Sequence, residues 1–279
     1  MSGTLFVVAT PIGNLEDLSP RARQTLENVD LIAAEDTRHT GRLLSHFSVK
    51  TPLFALHDHN EEKVVATLIA ELTTGKSIAL VSDAGTPLIS DPGYRLVAAA
   101  HSNAIRIVPI AGPCAATVAL SAAGLPTDRY CFEGFLPAKQ KARRDRLAEL
   151  RSESRSIVLY ESVHRIRDCL ADLVDIIGPE RRAFIGRELT KMHEQCVQTT
   201  LADLLRRLDA GEIVSKGEFV LVLSGSSEKR TSAFEVDQLL TELAAHLPPK
   251  VAAKLAARVT GGKPNDLYPR LLELTNKSG

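Results

Sequence analysis

The stretch IALVSDAGTPLISDPG, residues 78–93, decides the fold class. It opens with a continuous apolar run, and such runs are typical of strands in parallel sheets that helices cover on both faces. The run stops at Ser82, and a long polar segment follows that contains two prolines and two glycines. Proline fixes the backbone φ angle and glycine permits conformations closed to other residues, so the segment predicts a loop of preset shape. In α/β sheets, ligands bind at the carboxyl ends of strands, where this loop lies.

The first part of the chain alternates apolar runs with amphipathic stretches. The strand candidates are residues 5–9, 30–34, 53–56, 78–82 and 105–110. Strand–helix alternation of this kind predicts a parallel sheet. A polar loop follows each candidate strand, so the sequence places five elaborate loops at the edge of the sheet that binds ligands.

A second unit with longer spacing follows, and a helical tail ends the chain. Its strand candidates are YCFEGF, SIVLYES, RAFIGREL and GEFVLVLSG, and the polar link SGSSEKRTS (224–232) precedes three helical stretches. We therefore predict an α/β fold with an N-terminal parallel sheet in residues 1–115, a second α/β domain with a mixed sheet in 116–228, and a helical appendage in 229–279.

Composition excludes several classes of protein. Lys plus Arg and Asp plus Glu both count 34, so the balance of charge argues against a protein that coats nucleic acid through bulk charge. The four cysteines are widely spaced without a CxxC pair, which indicates reduced thiols rather than a disulfide framework or a zinc site. No secretory signal or apolar segment of about 20 residues is present. These features favour a cytoplasmic protein that does not enter a membrane.

Several loops carry candidate functional residues. TPIGNLED (10–17) has one glycine and lacks the nucleotide-phosphate fingerprints, so it indicates either backbone approach to a ligand or a plain turn. We expect Asp83 to contact a ligand and Asp91 to cap the next helix. GPCAAT (112–117) opens a helix whose small residues either leave amides for a ligand or allow close packing. EDTRH (35–39) is consistent with substrate contact or with a helix cap.

Histidines and basic stretches raise two further questions. HDHN (57–60) offers two histidines but no third ligand at a recognisable spacing, so we predict no metal site. KQKARRDRLAELR (139–151) is either a solvated helix face or a contact for a phosphate backbone. KVAAKLAARVTGGK (250–263) is a second basic helix with the same two interpretations.

Taken together, these loops resemble the tetrapyrrole methylase superfamily and, more narrowly, the ribosomal RNA small subunit methyltransferase I family. The motifs that carry the resemblance run in order through most of residues 5–224. They are ATPIGNLEDLSPRA, LIAAEDTRHTGRLL, ALHDHNE, LVSDAGTPLISDPGY, GPCAATVALSAAGLP, FEGFLP, LYESVHR, RELTK and KGEFVLVL. The tail matches the family more loosely.

The resemblance implies 2'-O-ribose methylation of one cytidine in the decoding centre of 16S rRNA, with S-adenosylmethionine as the methyl donor. It also implies two α/β domains with the donor in the cleft between them, a homodimer, and the small ribosomal subunit as partner. Carried over by motif, the residues expected to bind the cofactor are Pro11, Ile12, Gly13, Asp83, Gly85, Thr86, Pro87, Cys114, Ala115, Tyr160, Lys216 and Glu218.

Methyl transfer is an in-line displacement that relies mainly on orientation, although a base or cation near the 2'-hydroxyl would assist it. Our candidates for this catalytic role are Arg38, His57 and Asp58, with Glu161 also at the predicted cleft. Residues expected to contact RNA are Asp36, His39, His59, Lys141, Arg143, Arg144 and Arg146. Two alternatives stay open: a methyltransferase acting on a tetrapyrrole precursor, and a non-catalytic ribosome-binding protein.

Overall fold

The computed structural model describes residues 2–57, 60–226, 233–260 and 262–276. The predicted site residues Asp58 and His59 lie outside these described residues. The chain divides into two compact units, Met1–Ser226 and Ser227–Gly279. The first unit contains two five-stranded sheets, and the second consists of helices.

The first sheet is parallel throughout and has the strand order β3-β2-β4-β1-β5. Its strands are β1 (Thr4–Val8), β2 (Leu31–Ala34), β3 (Leu53–Ala55), β4 (Ile78–Val81) and β5 (Arg106–Ile110). Each of the five predicted strands is therefore confirmed. All four residues of β4 are buried, as its unbroken apolar run requires. Since β4 and β1 are neighbours, the loops that follow them meet at one edge.

Four helices connect these strands: α1 (Pro20–Asn28), α2 (Thr37–His46), α3 (Glu61–Thr73) and α4 (Tyr94–Ser102). Two apolar clusters, one on each face of the sheet, hold them in place. Helix α2 begins inside the predicted EDTRH loop, because the Asp36 carboxylate accepts a hydrogen bond from the Arg38 amide at 2.8 Å. Asp36 therefore caps this helix, and its contact with RNA stays a prediction.

Helix α5 (Ala115–Ala122) leads from the first sheet to the second. The second sheet has the order β6-β7-β10-β8-β9, with β6 and β7 parallel and the other pairs antiparallel. Its strands are β6 (Tyr130–Phe135), β7 (Ser156–Ser162), β8 (Arg182–Arg187), β9 (Gln195–Thr200) and β10 (Glu218–Leu223). The predicted mixed sheet is confirmed, whereas the edge strand β9 was not among the predicted strands.

One face of the second sheet packs against helices α6 (Gln140–Leu150), α7 (Ile166–Ile176) and α8 (Leu201–Asp209), which form the largest apolar cluster. Helix α5 packs on the other face together with Ile12 and Leu189. The side of this sheet that faces the first sheet is therefore the side covered by α5. Below, the first half of the unit means the first sheet with its loops and helices up to α5, and the second half means the second sheet with its helices.

The second unit consists of helices α9 (Ala233–His246), α10 (Pro249–Thr260) and α11 (Pro264–Asn276). Its core is built from alanines of α10 packed against Leu240 and Leu271. Alanine side chains let helices approach closely, which explains how a short segment forms a core of its own. Across the described residues, no helix is long and apolar enough to cross a membrane.

Candidate active site

A cleft of about 310 Å³ lies between the two sheets of the first unit. A volume of this size is in the range of pockets that hold small molecules. The first half contributes Ile12, Glu35, Asp83, Ala84, Gly85, Thr86, Ile89, Ser90, Asp91, Cys114 and Ala115. The second half contributes Phe135, Tyr160, Glu161, Ser162, Leu189, Lys191, Glu218, Phe219 and Val220.

The loop after β4 supplies the largest share of the cleft wall, and its backbone is tightly constrained. Positive φ angles occur at Gly85 (89°), Leu88 (73°), Ser90 (69°) and Gly93 (121°). For Leu88 and Ser90 this left-handed conformation costs energy, and such strain persists only where the surroundings over-determine it. The predicted loop of preset shape is therefore present at the carboxyl end of β4.

Hydrogen bonds tie this loop to the loops after β1 and β5. The amide of Thr10 donates to the carbonyl of Gly85 at 2.8 Å, and the amide of Gly85 donates back at 3.1 Å. The Thr86 hydroxyl donates to the carbonyl of Pro113 at 2.9 Å. Three loops at the carboxyl edge of the first sheet thus form one connected wall.

Asp83 lies at the junction between the loops after β4 and β2. Its Oδ1 accepts a hydrogen bond from the amide of Asp36 at 3.0 Å, while its own amide donates to Oε2 of Glu35 at 3.4 Å. Both Asp83 and Glu35 line the cleft. The backbone contact fixes the Asp83 carboxylate at the edge where a ligand would bind.

The loop after β4 also contacts the second sheet at Gly134 of β6. Gly134 has a φ of 62°, and a Cβ atom there would lie 2.9 Å from the Ser90 hydroxyl oxygen. Glycine at this position therefore provides both the left-handed conformation and the space for close approach.

Tyr160 connects the two halves from the other side of the cleft. Its hydroxyl oxygen accepts a hydrogen bond from the amide of Ala116 at 3.1 Å, in the first turn of α5. Burial raises the pKa of the Tyr160 hydroxyl well above its usual value, so the ring stays neutral. Phe132 and Phe135 pack edge-on to this ring, with centroids 5.0 and 5.7 Å away. Of the two interpretations of GPCAAT, amides left for a ligand or close packing, the first does not hold for Ala116, because its amide is bound to Tyr160.

Lys191 closes the second half of the cleft beside two acidic residues. Its ammonium group lies 2.8 Å from Glu188 and 2.9 Å from Glu218. Burial alone would raise the pKa of Glu188, but hydrogen bonds from Lys191 and from the amide of Glu218 hold it below its ordinary value. The Lys191 side chain runs so close to Gly13 that a Cβ atom there would be 2.3 Å from its Cγ. Gly13 therefore provides space for Lys191 rather than lining the cleft itself.

The structure brings together most of the predicted cofactor residues. Ile12, Asp83, Gly85, Thr86, Cys114, Ala115, Tyr160 and Glu218 all line the cleft. Pro11 and Pro87 are buried beneath the loops, and Lys216 is exposed outside the lining. The carbonyl of Lys216 accepts a hydrogen bond from Arg187 at 2.6 Å, so its backbone has a structural contact.

The described candidates for catalysis lie away from the cleft wall. The Arg38 side chain is 87% exposed and pairs with Asp36 at 2.6 Å. The hydrogen bonds from Arg38 hold the pKa of Asp36 well below its usual range. His57 follows β3, the edge strand farthest from β1 and β5, and its amide donates to Asn60 at 2.9 Å. His39 is exposed on α2. Their roles toward substrate stay predictions.

Glu161, which the sequence also placed at the cleft, is fully buried. Its carboxylate accepts a hydrogen bond from the Ser162 amide at 2.8 Å and lies 3.3 Å from the Arg165 guanidinium. These contacts tie the carboxylate to the backbone and to a cation of its own half of the unit.

The basic stretch on α6 differs most from expectation. The Arg143 side chain is only 5% exposed, and its Nε and Nη2 lie 2.7 Å from one oxygen of Asp172. The prediction that Arg143 contacts RNA is therefore wrong, because its charge is neutralised inside the protein. Arg144 and Arg146 are half-exposed and also pair with acidic residues, and Lys141 is exposed.

Capping of α4 also differs from the prediction. The amides of Arg95 and Leu96 donate to Oε1 of Glu61 at 2.9 and 3.4 Å. A buried carboxylate from α3 thus takes the capping role that was expected of Asp91, which lines the cleft instead. Within the described ranges, no group of three His, Cys, Asp or Glu side chains is arranged to hold a metal ion.

Sequence reasoning missed several residues of the cleft, including Glu35, Phe135 and Lys191. All three lie inside motifs that carry the family resemblance: EDTRH, FEGFLP and RELTK. The motifs identified the segments that form the cleft, but only the tertiary structure shows which side chain of each segment faces it.

Comparisons with known proteins agree with this geometry. The family model described as Tetrapyrrole (Corrin/Porphyrin) Methylases matches residues 4–205, and that of the RsmI C-terminal HTH domain matches residues 231–275. Ribosomal RNA small subunit methyltransferase I of Escherichia coli O157:H7 is 52% identical over 272 residues, covering 97% of this chain and 95% of the relative. The chain belongs to the ribosomal RNA small subunit methyltransferase I family. The protein of the same description from Pasteurella multocida is 49% identical over 278 residues, 99% of both chains.

Solved structures with the same fold extend the comparison. The methyltransferase CobJ has a TM-score of 0.60 at 16% identity, covering 83% of this chain and 98% of that one. Uroporphyrin-III C-methyl transferase from Thermus thermophilus, complexed with S-adenyl homocysteine, has a TM-score of 0.54 at 14% identity, covering 80% and 97%. These similarities establish the tetrapyrrole methylase fold, and the family resemblance of the sequence is confirmed.

Proposed function

We propose that this enzyme transfers a methyl group from S-adenosylmethionine to the 2'-hydroxyl of a cytidine in the 16S rRNA of the small ribosomal subunit. The observation that carries the proposal is a cleft of preset shape, in a chain about half identical to proteins named for methylation of that RNA. The predicted homodimer and the predicted cytoplasmic location rest on the sequence and its resemblance alone.

The chemistry of the cleft fits S-adenosylmethionine. The ligand carries a cationic sulfonium and an ammonium group, and the cleft lining contains more acidic than basic side chains. The acidic residues of the lining are Glu35, Asp83, Asp91, Glu161 and Glu218, and its basic residue is Lys191. The ligand has no phosphate, and the loop after β1 has no phosphate-binding fingerprint. A fold neighbour solved with S-adenyl homocysteine adds support for a ligand of this class.

The wall formed by the loops after β1, β4 and β5 would hold the donor. Asp83 and Thr86 lie on this wall, and Ala115 and Tyr160 border it where α5 begins. When bound, the donor supplies an electrophilic methyl group. The protein's contribution is then to exclude water and to hold the acceptor hydroxyl in line with that group, since orientation alone can provide a large part of the acceleration.

We assign the acceptor nucleotide to the mouth of the cleft, beside Phe135. This side chain lines the cleft while remaining 55% exposed. Enzymes that modify nucleotides commonly take the target out of its stack and support the base on an aromatic ring. The edge-on contact with Tyr160 orients the ring of Phe135, and its exposed part would receive the base.

The test is transfer of tritiated methyl groups from S-adenosylmethionine to 30S subunits of a strain that lacks the corresponding gene, followed by mapping of the modified nucleotide. We expect incorporation at one cytidine of the decoding centre, as a 2'-O-methyl group. A uroporphyrinogen substrate serves as the parallel arm, because the tetrapyrrole alternative predicts transfer to carbon there. Absence of donor binding in calorimetry would instead favour the non-catalytic alternative.

A further inference from the structure

Helix α10 presents a continuous basic ridge on its outer face. Lys250, Lys254 and Arg258 recur at every fourth residue, and all three are exposed. With a rise of about 1.5 Å per residue, the three charges lie roughly 6 Å apart along the helix and span about 12 Å. The opposite face is made of buried alanines, so the packing of the unit fixes the direction in which the ridge points.

Among the described residues of the second unit, no acidic side chain forms an ion pair with this ridge. Residues 249–260 contain no Asp or Glu. In the described part of the second unit, an ion pair joins Arg270 of α11 to Asp237 of α9, and α10 takes part in none.

Helix α6 is the instructive contrast. Its arginines Arg143, Arg144 and Arg146 each pair with an acidic side chain. Three of the four cations of α6 are therefore paired and only Lys141 is exposed without an ion pair among the described residues, whereas all three cations of α10 are exposed and unpaired there. Fixed cations without partners attract the phosphates of nucleic acid, whereas paired ones do so weakly.

The basic ridge does not lie on the helix that would bind nucleic acid in a helix-turn-helix unit. In that motif the second helix after a short turn enters the groove of nucleic acid. Here the helix that follows α10 is α11, which carries Asp266 and Glu273, while its Arg270 is paired with Asp237. The charge distribution consequently selects the helix before the turn.

We propose that the outer face of α10 binds the phosphate backbone of the substrate rRNA, which rests on the function proposed above. The apolar side chains Val251, Leu255 and Val259 form a second ridge beside the basic one, and Val259 is 69% exposed. Apolar side chains next to phosphate contacts pack against sugars and base faces. Such a surface anchors the enzyme to its substrate without reading sequence, so specificity resides elsewhere.

The test compares the full-length enzyme with the triple variant Lys250→Gln/Lys254→Gln/Arg258→Gln on unmethylated 30S subunits. Log affinity falls with log salt, and three lost phosphate contacts make this slope less negative by about 2, which corresponds to affinity weaker by on the order of 100-fold near 0.1 M salt. We expect KM for the subunit to rise accordingly. The Kd for S-adenosylmethionine and the kcat at saturating subunit should stay at their wild-type values.

The matched control removes the same number of exposed charges elsewhere, in Lys50→Gln/Arg106→Gln/Arg151→Gln. These residues precede or open β3, β5 and β7, at the ends of those strands away from the cleft. We expect this control to keep the wild-type salt slope. The variant Lys250→Arg/Lys254→Arg should bind like the wild type, which separates charge from fold.

A triple variant that keeps the wild-type KM and salt slope would overturn the proposal while leaving the proposed methylation intact, since that is measured on the wild-type enzyme. If Val251→Ser/Leu255→Ser/Val259→Ser weakens binding with an unchanged slope and the charge variant does not, the face docks on protein and the proposal is wrong. Failure of the wild type to methylate subunits would count against the proposed function itself.

Discussion

Replacing Arg143 by methionine should destabilise the first unit severely without changing its contact with RNA. Arg143 and Asp172 are 5% and 3% exposed, and two guanidinium nitrogens lie 2.7 Å from the same carboxylate oxygen. Removing one partner of a buried pair leaves the other charge uncompensated, at a cost of about 3–5 kcal/mol. Arg144 still contacts the other oxygen at 2.8 Å, so we expect about 3 kcal/mol. For a unit of this size that lowers Tm by roughly 6–12 °C.

Urea unfolding followed by circular dichroism measures this effect directly. The control is Arg144→Met, whose side chain is 40% exposed, so its loss should destabilise the unit much less than the loss of Arg143. The double variant Arg143→Met/Asp172→Leu should recover most of the stability, because an apolar pair of similar volume often replaces a buried ion pair without loss. A loss below about 1 kcal/mol in Arg143→Met, together with weaker binding to 30S subunits at 10 °C, would refute the buried assignment.

The same pair gives a prediction about pH. Burial alone would raise the pKa of Asp172, but the hydrogen bonds from Arg143 and Arg144 hold it below its ordinary value. A carboxyl group whose pKa is lowered in the folded state stabilises the protein above its unfolded pKa of about 3.9 and loses that contribution as pH falls through the folded value. We therefore expect the Asp172 contribution to be complete at pH 6 and to fade below about pH 4. In Asp172→Asn this part of the acid dependence should be absent.

Three further predictions concern the cleft. Asp83→Asn keeps an acceptor oxygen but removes the charge. Because hydrogen bonds to charged groups contribute about 1.5–3 kcal/mol, binding of S-adenosylmethionine measured by calorimetry should become about 10- to 150-fold weaker. An unchanged Kd would exclude contact between Asp83 and the ligand. Phe135→Ala should raise the KM for 30S subunits about 5- to 150-fold, because a base would lose its stacking partner. If the variant instead bound S-adenosylmethionine more weakly at an unchanged KM for subunits, the ring would contact the cofactor rather than the base. Gly134→Ala should both destabilise the unit and weaken the binding of S-adenosylmethionine, because the new Cβ would displace Ser90. The control is Gly124→Ala, at a φ of 60° with nothing within 4 Å, which should show the cost of backbone strain alone. Equal effects in the two variants would contradict the close contact between Gly134 and Ser90.

The sequence was most informative where apolar residues cluster along a strand. Every strand of the first sheet was predictable for this reason, including the partly exposed edge strands β3 and β5. Strand β9 was missed because QCVQTT is mostly polar and has no apolar run. The carboxyl-edge loops were likewise predictable, since proline and glycine constrain backbone shape locally.

The error at Arg143 was partly avoidable. Arg143, Leu147 and Leu150 share the buried face of α6, and this spacing of three and four residues is visible in the sequence. Its partner Asp172 lies on α7, 29 residues away, and no local pattern in a single sequence links the two. The same limitation hid Phe135 and Lys191, which reach the cleft only because the second sheet folds against the first.

The left-handed residues in the loop after β4 have a consequence for the kinetics of ligand association. Because the left-handed conformations of Leu88 and Ser90 belong to a loop that backbone hydrogen bonds already tie to its neighbour, the loss of backbone entropy accompanies folding rather than binding. Association of the donor should then proceed in a single phase whose observed rate rises linearly with donor concentration, without the plateau that a slow loop rearrangement imposes. The strained loop is in that sense a device for fast exchange: spent donor can leave and fresh donor enter while the wall of the cleft keeps its shape.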